Sequence, residues 1–319
     1  MPIVTYKGRA HEVGEGQTVL DALLAGGEAI PHACRAGACG ACIVRATAGE
    51  IPAEAQVGLR ETWKARGCFY SCQCRPRGDL AAEPLGDGMR ATGRIEARSA
   101  LSGSVARVLV RLDAAFEAIA GQYVTLHRAG VARSFSIAAR HGDRTIELHV
   151  RRVAGGKLSP YLCDEAQAGD EVVVQGPLGD CVYVPGKPEQ PLLLAGTGTG
   201  LAPLWGVLHD ALAAGHTGLI HVFHGGVEPS GLYLVDELRA LAASRPNVRY
   251  VPVVLRDPAP GMEEGPIDAV VARRLPRTTG MRAFVCGAPE VVQILKKKIF
   301  LAGAALRDIL ADAFVPAAS

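Results

Sequence analysis

The alternation of apolar and polar residues near the amino terminus predicts a small domain built around a sheet. Residues 2–7 and 43–47 alternate as strands do, and the sequence TVLDALLAGG predicts a short helix that Thr18 caps and that ends at Gly26. Residues 28–42 are rich in glycine and cysteine, which indicates a loop between the helix and the next strand.

The pattern of apolar residues then changes twice. The stretch LAAEPLGDGMRATGR predicts a linker near residues 82–92, which limits the first domain to residues 1–85. Short apolar segments separated by turn residues follow and are typical of an antiparallel barrel, assigned to residues 90–187. From there on, apolar strands alternate with helical stretches, which predicts a doubly wound parallel sheet in residues 188–319.

Composition describes an ordinary globular protein and narrows the candidate partners. Apolar residues make up 49% and charged residues 21% of the chain, and its net charge is +2. These values give no reason to expect nucleic acid or membrane lipid as a partner. The amino terminus has no basic segment followed by an apolar stretch, so a cytoplasmic location is expected. Residues 191–208 carry no charge, but glycines, threonines and prolines interrupt them, which favours strand, loop and helix over a membrane span.

Three of the nine cysteines lie in the motif CRAGACGAC, with four residues between Cys34 and Cys39 and two between Cys39 and Cys42. Such a loop can wrap several thiolates around one cluster, and Gly37 and Gly40 supply backbone conformations with positive φ. This spacing with a distant fourth cysteine is the plant-type [2Fe-2S] signature. A zinc site would more often use paired C-x2-C units. A Rieske centre would need histidines, and buried core cysteines are the remaining alternative.

The fourth ligand has three candidates in the stretch GCFYSCQCRP, namely Cys68, Cys72 and Cys74. If this stretch is an extended strand, all three side chains face the same side, so alternation cannot choose among them. The candidates differ instead in distance, because a step of two residues moves a sulfur by about 6 to 7 Å along the strand. The spacing of these cysteines alone leaves the choice open.

Two motifs in the barrel region have the residue types that a flavin needs. RSFS offers a cation for the phosphates in Arg133, a ring in Phe135 and a hydroxyl near the reactive N5 in Ser136. GGKLS follows, and its two glycines allow the backbone to approach a pyrophosphate at the start of a short helix. The alternative for RSFS alone is an arginine that is merely solvated. The cofactor-binding candidates of this region are Arg133, Ser134, Phe135, Ser136, His149, Val150, Gly155, Gly156, Lys157, Leu158 and Ser159.

Two further motifs indicate a dinucleotide site. LLLAGTGTGLAP follows a buried strand and opens a helix, where glycines let the backbone meet a pyrophosphate, although its glycines do not match G-x-G-x-x-G. FVCGAPE places a cysteine at the carboxyl end of a strand, where doubly wound sheets bind ligands. A tight turn and a packed cysteine are the respective alternatives. The candidates here are Gly196, Thr197, Gly198, Thr199, Gly200, Cys286, Gly287 and Pro289.

Residues 1–80 resemble a plant-type ferredoxin, and the flavin and nucleotide motifs resemble the ferredoxin-NADP reductase superfamily. In this order the chain looks like the NADH-dependent reductase components of bacterial multicomponent oxygenases. The resemblance implies a multidomain α+β and α/β fold with a β-grasp ferredoxin domain, an antiparallel β-barrel flavin domain and a doubly wound parallel-sheet nucleotide domain. It also implies FAD, because related reductases that use FMN carry their ferredoxin at the carboxyl terminus.

The resemblance also implies roles for single residues. In such ferredoxins the fourth ligand lies about 29 residues beyond the third and starts a Cys-x3-Pro sequence, which selects Cys72. The implied metal ligands are Cys34, Cys39, Cys42 and Cys72. Ser136 and Cys286 are the implied catalytic residues beside the hydride path. Phe135 stands where the family often has tyrosine, and Phe314, a candidate aromatic cover for the flavin, is followed by five more residues.

The implied function is electron transfer from NADH through FAD and the [2Fe-2S] cluster to a terminal oxygenase of the Rieske or di-iron type, directly or through a separate ferredoxin. A monomer is expected. NADH is favoured over NADPH because residues 224–238 contain no arginine or lysine, while Glu228 would repel a 2′-phosphate. The alternatives are a reductase for a deoxysugar dehydratase or another one-electron acceptor, and a redox-sensing electron carrier with a vestigial flavin domain.

Overall fold

The structure is a computed structural model that describes residues 1–30, 32, 35–37, 42–59, 61–84 and 90–314. The chain divides into two units, Met1–Arg90 and Ala91–Ser319. In the first unit the strands are β1 (Ile3–Tyr6), β2 (Arg9–Glu12), β3 (Ile43–Ala48), β4 (Cys68–Tyr70) and β5 (Leu80–Pro84), and the helices are α1 (Val19–Ala25) and α2 (Glu61–Ala65).

The first unit is a mixed five-stranded sheet in the order β2-β1-β5-β3-β4, in which β1 and β5 are parallel. The predicted helix α1 is confirmed, and Thr18 caps it through a reciprocal pair of hydrogen bonds with Asp21. Its first two free N–H groups, those of Val19 and Leu20, donate to the carbonyls of Cys74 (2.8 Å) and Ser71 (3.0 Å). The helix is therefore bonded directly to the segment that carries the candidate fourth ligand.

The second unit begins with a closed antiparallel barrel of six strands in the order β10-β7-β6-β11-β8-β9. Its strands are β6 (Arg90–Ala100), β7 (Val105–Leu112), β8 (Tyr123–Arg128), β9 (Val131–His141), β10 (Thr145–Arg151) and β11 (Glu171–Leu178). Alternate residues of these strands point inward and fill the barrel with aliphatic side chains such as Val108, Leu126 and Ile137.

The remainder of the second unit is a six-stranded parallel sheet in the order β15-β14-β13-β12-β16-β17. The strands are β12 (Leu192–Thr197), β13 (Ile220–Gly226), β14 (Val248–Val254), β15 (Glu263–Glu264), β16 (Arg282–Gly287) and β17 (Ile309–Ala313), and the helices are α3 (Leu201–Ala213), α4 (Val235–Ser244), α5 (Ile267–Arg274) and α6 (Pro289–Leu301). Helices α3 and α4 cover one face and α5 and α6 the other, which is the doubly wound arrangement.

The barrel and the parallel sheet pack closely at Gly206 in the middle of α3. A Cβ atom at this position would lie 2.6 Å from the Cβ of Ala120 and 2.9 Å from the carbonyl oxygen of Ala138 on β9. Gly121 is similarly crowded, because a Cβ there would lie 2.2 Å from the carbonyl oxygen of Cys181. The absence of these side chains lets helix and barrel backbones approach closely.

The predicted fold class is confirmed, while several element boundaries differ from expectation. The predicted linker at residues 82–92 overlaps both β5 and β6, so only residues 85–89 separate the two strands, and those residues lie outside the described part of the chain. Strand β6 was not expected because its outward positions are polar and exposed. The expected extended strand around the cysteines ends at Tyr70, so Cys72 lies in the following turn. The domain limits at residues 85, 90 and 187 stay a prediction.

No helix among the described residues is both long enough and apolar enough to cross a bilayer.

Substitution of Gly206 tests the close contact between α3 and the barrel. We expect Gly206→Val to lower the free energy of unfolding by about 1 to 3 kcal/mol, because the new side chain must displace barrel backbone. Urea unfolding followed by circular dichroism measures the change. The control is Ala213→Val, an exposed position on the same helix, which should cost well under about 1 kcal/mol. Equal losses in both variants would contradict the close contact.

Candidate functional site

Two cysteines of the candidate cluster site are brought together by the sheet of the first unit. Cys42 immediately precedes β3, Cys72 follows β4 by two residues, and Ile43 pairs with Tyr70 across these antiparallel strands. Burial and the neighbouring thiol of Cys72 raise the pKa of Cys42. Ser71 reinforces the arrangement, because its N–H and its hydroxyl both donate to the carbonyl oxygen of Cys42 (3.1 and 2.8 Å).

The surroundings of this thiol pair suit a metal cluster with thiolate ligands. The backbone of Cys72 acts to lower the pKa of Cys42, against the effect of burial, and Nε2 of Gln73 lies 3.7 Å from the sulfur of Cys72. Such donors stabilise negative charge on cluster sulfurs. Gln73 also donates to the carbonyl oxygen of Arg35 (2.9 Å), and Gly37 adopts the expected positive φ of 70°. Gly40 and the predicted ligands Cys34 and Cys39 lie outside the described residues, so the full ligand set stays a prediction.

The other two cysteines of this stretch occupy the core. Cys68 pairs with Arg45 across the strands, three residues or about 10 Å along β3 from Cys42. Cys74 is fully buried, which raises the pKa of its thiol to about 12, and its carbonyl accepts the hydrogen bond from helix α1. Burial also raises the pKa of Cys68. Both side chains pack as small apolar groups.

The motif RSFS lies on β9, whose alternation separates its residues into two sets. Ser134 and Ser136 share one face, and the hydroxyl of Ser134 is 3.1 Å from that of Thr125 on β8. Phe135 lies on the opposite face and packs partly against the barrel core. Arg133 is half-buried on that face and donates to the carbonyl oxygen of Ala132 (2.7 Å).

The motif GGKLS forms a turn that is held by its own hydrogen bonds. The N–H of Val153 donates to the hydroxyl of Ser159 (3.2 Å), and the N–H of Gly156 donates to the carbonyl of Val153 (3.0 Å). Gly155 has φ of +71°, and no atom would lie within 4 Å of a Cβ there, so its backbone faces open space. Leu158 is buried in the barrel core, whereas Lys157 is exposed. This turn has room for a phosphate at Gly155.

His149 is a predicted cofactor residue, but its ring is fully buried and both ring nitrogens hydrogen-bond to other residues of the protein. Its Nε2 lies 2.9 Å from Glu147 and its Nδ1 lies 3.1 Å from the hydroxyl of Tyr233, which precedes α4. Burial lowers the pKa of His149, so the neutral ring donates from Nε2 and accepts from tyrosine at Nδ1. The adjacent Val150 is also buried. Only the backbone of these two residues is therefore available to a cofactor.

The carboxylate of Glu147 organises a charged network that joins β10 to its neighbours. Burial alone would raise its pKa, but hydrogen bonds from His149 and His141 and the charge of Arg107 outweigh burial and lower the pKa to about 2. Glu147 is therefore ionised at neutral pH and holds His149 in place toward Tyr233. The sequence motifs did not indicate this network, because one of its hydrogen bonds, His149 to Tyr233, joins residues 84 positions apart.

The predicted dinucleotide loop lies where β12 ends and α3 begins. Residues Gly198–Gly200 form a 3-10 turn directly before the helix, so N–H groups of a 13-residue helix point toward the loop. A Cβ at Gly200 would lie 2.4 Å from the carbonyl oxygen of Cys286, and one at Gly287 would lie 2.4 Å from the hydroxyl of Thr197. The loop therefore packs against the end of β16 with no space for a side chain, which fits close approach of a pyrophosphate.

The two predicted catalytic residues come together through a third residue, Asp312, which the sequence did not indicate. Asp312 lies opposite Cys286 in the parallel register of β16 and β17, and its carboxylate is 3.4 Å from the hydroxyl of Ser136 on the barrel. Burial raises the pKa of Asp312 to about 6. The N–H of Phe314 donates to the carbonyl oxygen of Gly287 (2.8 Å), which extends the same edge. No local pattern in the strand sequence ILADA marks this aspartate.

The thiol of Cys286 is buried and lies 3.2 Å from that of Cys181, which follows barrel strand β11. Burial and the neighbouring thiol raise the pKa of Cys286 well above its ordinary value, so the group is a neutral thiol. Pro289, the last candidate of this region, is the first residue of α6. The middle of β9 and the carboxyl ends of β12, β16 and β17 thus meet at one place, where Ser136, Asp312 and Cys286 lie.

Three protein-family models match the three successive parts of this chain. A model of the 2Fe-2S iron-sulfur cluster binding domain matches residues 4–77, one of the oxidoreductase FAD-binding domain residues 92–183, and one of the oxidoreductase NAD-binding domain residues 194–297. The reductase subunit of an aromatic O-demethylase from Amycolatopsis sp. is 34% identical over 98% of both chains. The chain belongs to the reductase components of multicomponent oxygenase systems.

Further relatives agree with this assignment. The ferredoxin–NAD(P)(+) reductase component of the naphthalene 1,2-dioxygenase/salicylate 5-hydroxylase systems of Ralstonia sp. is 32% identical over 94% of both chains. The crystal structure of an Amycolatopsis cytochrome P450 reductase is 31% identical, covers 99% of both chains and matches with a TM-score of 0.67. The reductase described here is thus an NADH-dependent flavin and iron-sulfur oxidoreductase with FAD, NAD and [2Fe-2S] domains.

Cysteine substitutions test which thiol completes the cluster of the reductase. We expect Cys72→Ser to abolish or distort the visible absorbance of the cluster, because the pairing of β3 with β4 and the Ser71 hydrogen bonds place Cys72 beside Cys42. The controls Cys68→Ser and Cys74→Ser should keep that absorbance, since both side chains belong to the core. Loss of the cluster in Cys74→Ser alone would show that the fourth ligand is Cys74, two residues further along the chain.

The half-buried carboxyl of Asp312 should lower the stability of the reductase at neutral pH. Because burial raises its pKa from 3.8 to about 6, the folded protein keeps a proton that the unfolded chain releases between these pH values. We expect Asp312→Asn to raise the free energy of unfolding at pH 7.5 by up to about 3 kcal/mol and to have no such effect near pH 4. The exposed Asp236→Asn is the control, and denaturant unfolding at both pH values is the measurement. A gain that is the same at both pH values would contradict this explanation.

Proposed function

We propose that this reductase passes electrons from NADH, through FAD at the barrel and a [2Fe-2S] cluster in the first unit, to a terminal oxygenase. The proposal rests on the convergence of Ser136, Asp312 and Cys286 where the parallel sheet meets the barrel. The printed names of the relatives support an oxygenase as the acceptor. Bound flavin supplies the step that this route needs, since it accepts electrons in pairs and releases them singly.

The turn at Gly155 and the loop at Gly198–Gly200 hold the two diphosphates in this proposal. Gly155 presents its backbone to open space, and Arg133 on β9 supplies a positive charge on the barrel. The loop presents N–H groups at the start of α3, whose dipole favours an anion there. Thr197 accepts a hydrogen bond from the N–H of Ala288 (3.3 Å), which keeps the ends of β12 and β16 together.

Ser136, Asp312 and Cys286 position the reacting groups and exclude water between them. The hydroxyl of Ser136 donates to Asp312, which fixes its orientation on barrel strand β9. The thiol of Cys286 stays neutral, so it offers a small uncharged surface to a nicotinamide and does not act as a nucleophile. A dry and preorganised site of this kind favours direct hydride transfer.

Cys34, Cys39, Cys42 and Cys72 hold the cluster in this proposal. Cys42 and Cys72 are buried, and the N–H of Cys72 stabilises negative charge on the neighbouring sulfur. The proposed location is the cytoplasm, because a reducing compartment keeps such thiols available for metal.

Two classes of acceptor follow from the names of the relatives. Naphthalene dioxygenase reductases support an aromatic-ring dioxygenase as the acceptor. The second candidate acceptor is a cytochrome P450, which the name of the Amycolatopsis structure supports, as that protein matches this chain over 99% of both lengths.

Stopped-flow reoxidation identifies the acceptor. The reductase, reduced with NADH, is mixed with an oxidised Rieske oxygenase, a di-iron hydroxylase or a cytochrome P450 from the same organism, and the cluster absorbance is followed. We expect one of these classes to reoxidise the cluster far faster than buffer does. Reoxidation only by a pyridoxamine-dependent dehydratase would contradict the proposed oxygenase partner. A protein whose flavin is not reduced by NADH at all would contradict the proposed route.

Neighbouring cysteines allow a matched test of the hydride site. We expect Cys286→Ala to slow reduction of the flavin by NADH at least about tenfold, because a misplaced nicotinamide reacts slowly. Cys181→Ala removes the thiol 3.2 Å away on the barrel side and should keep the rate within about twofold. Photoreduction of the bound flavin, which needs no nicotinamide, should be equal in both variants. Equal rates of NADH reduction in the two variants would contradict the role given to Cys286.

A further inference from the structure

An ion pair that no sequence motif marks lies just beyond the carboxyl ends of β13 and β14. Glu228 lies two residues beyond β13, and Arg256 lies two residues beyond β14. Nη2 of Arg256 is 3.7 Å from Oε2 of Glu228, and both side chains are about half exposed. In a doubly wound sheet, the adenosine end of a dinucleotide binds at the carboxyl end of the strand next to the glycine-rich loop. The pair therefore lies at the edge where the adenosine ribose is expected.

Backbone hydrogen bonds fix the two residues beside each other. The N–H of Leu255 donates to the carbonyl oxygens of Gly226 (3.2 Å) and Val227 (3.1 Å). The N–H of Arg256 donates to the same carbonyl oxygen of Val227 (3.2 Å). Ser230 adds a side-chain contact, because its hydroxyl donates to Oε1 of Glu228 (3.1 Å). One carboxylate oxygen of Glu228 thus contacts a hydroxyl and the other an arginine.

The chemistry of this pair distinguishes the two nicotinamide dinucleotides. A ribose 2′-hydroxyl is uncharged and can donate to a carboxylate, whereas a 2′-phosphate brings about two negative charges. Glu228 repels such a phosphate and also occupies Arg256, the cation that would bind it. Arg239 is the first cation after Glu228 in the sequence. It donates to the carbonyl oxygen of Pro260 (3.2 Å) and lies 3.7 Å from Asp236. Glu228 thus disfavours NADPH binding in two ways. Its own charge repels the 2′-phosphate, and its ion pair neutralises Arg256.

We propose that the Glu228–Arg256 ion pair sets the preference of this reductase for NADH over NADPH. Glu228 accepts a hydrogen bond from the ribose and keeps Arg256 neutralised. Removal of the carboxylate charge releases Arg256 and creates a site for the 2′-phosphate. This inference rests on the proposed function, in which NADH is the electron donor.

The test is a cycle of Glu228→Gln, Arg256→Gln and the double variant in the full chain loaded with flavin and cluster. Ferricyanide reduction gives kcat/KM for NADH and for NADPH. We expect Glu228→Gln to raise the NADPH to NADH ratio of kcat/KM up to about fivefold, the scale of one half-exposed charge pair. The double variant should lose most of this gain, because the released arginine is then absent. Asp236→Asn, which removes the carboxylate 3.7 Å from Arg239, is the matched control and should leave the ratio within about twofold.

Calorimetric binding of 2′,5′-ADP and of ADP gives a second measurement that does not need turnover. Glu228→Gln should tighten binding of 2′,5′-ADP relative to ADP, more at low salt than at 0.5 M NaCl, as expected for a half-exposed charge. An unchanged ratio in Glu228→Gln, or a gain that survives Arg256→Gln, overturns the proposal. A wild-type protein that oxidises neither dinucleotide contradicts the proposed function instead, and the binding measurement still decides the role of the pair.

Discussion

The close contact between α3 and the barrel is the constraint on which the reaction site depends. Gly206 leaves no space for a side chain between the helix and the backbone of β9. Because α3 starts directly after Gly198–Gly200, the same contact sets the distance between the candidate dinucleotide loop and the barrel strand that carries Ser136. The Glu147–His149–Tyr233 chain reinforces it from the neighbouring strand β10. A single packed junction therefore positions both halves of the site.

Asp312 shows that this junction is not optimised for stability alone. A carboxyl group that burial shifts to a pKa of about 6 lowers stability at neutral pH, and an amide of the same shape would not. Its two neighbours, Ser136 and Cys286, are the residues that the motifs assign to the hydride path. Buried groups that are costly to keep charged tend to lie at functional sites. The physical cost of Asp312 thus supports its place in the mechanism.

The sequence predicted the fold class well because each region has a strong periodic signal, and it failed where that signal is weak. Strand β6 escaped notice because its outward face is polar, and β4 ends earlier than the even spacing of the cysteines suggested. Local motifs identified Ser136 and Cys286, since the sequence RSFS marks the first and the end of an apolar strand before glycine marks the second. Asp312, Glu147 and Arg256 lie in no motif. Their roles depend on partners from other strands, and only the packed chain brings these together.

The position of Cys42 and Cys72 at the same end of paired strands has a consequence for how the cluster is inserted. Strand pairing and the two hydrogen bonds from Ser71 fix the backbones of these two residues beside each other. The conformational entropy that two mobile thiols would lose on binding iron has been lost when the sheet forms. Two of the four proposed ligands thus add less ordering cost to cluster binding than ligands on a free loop would.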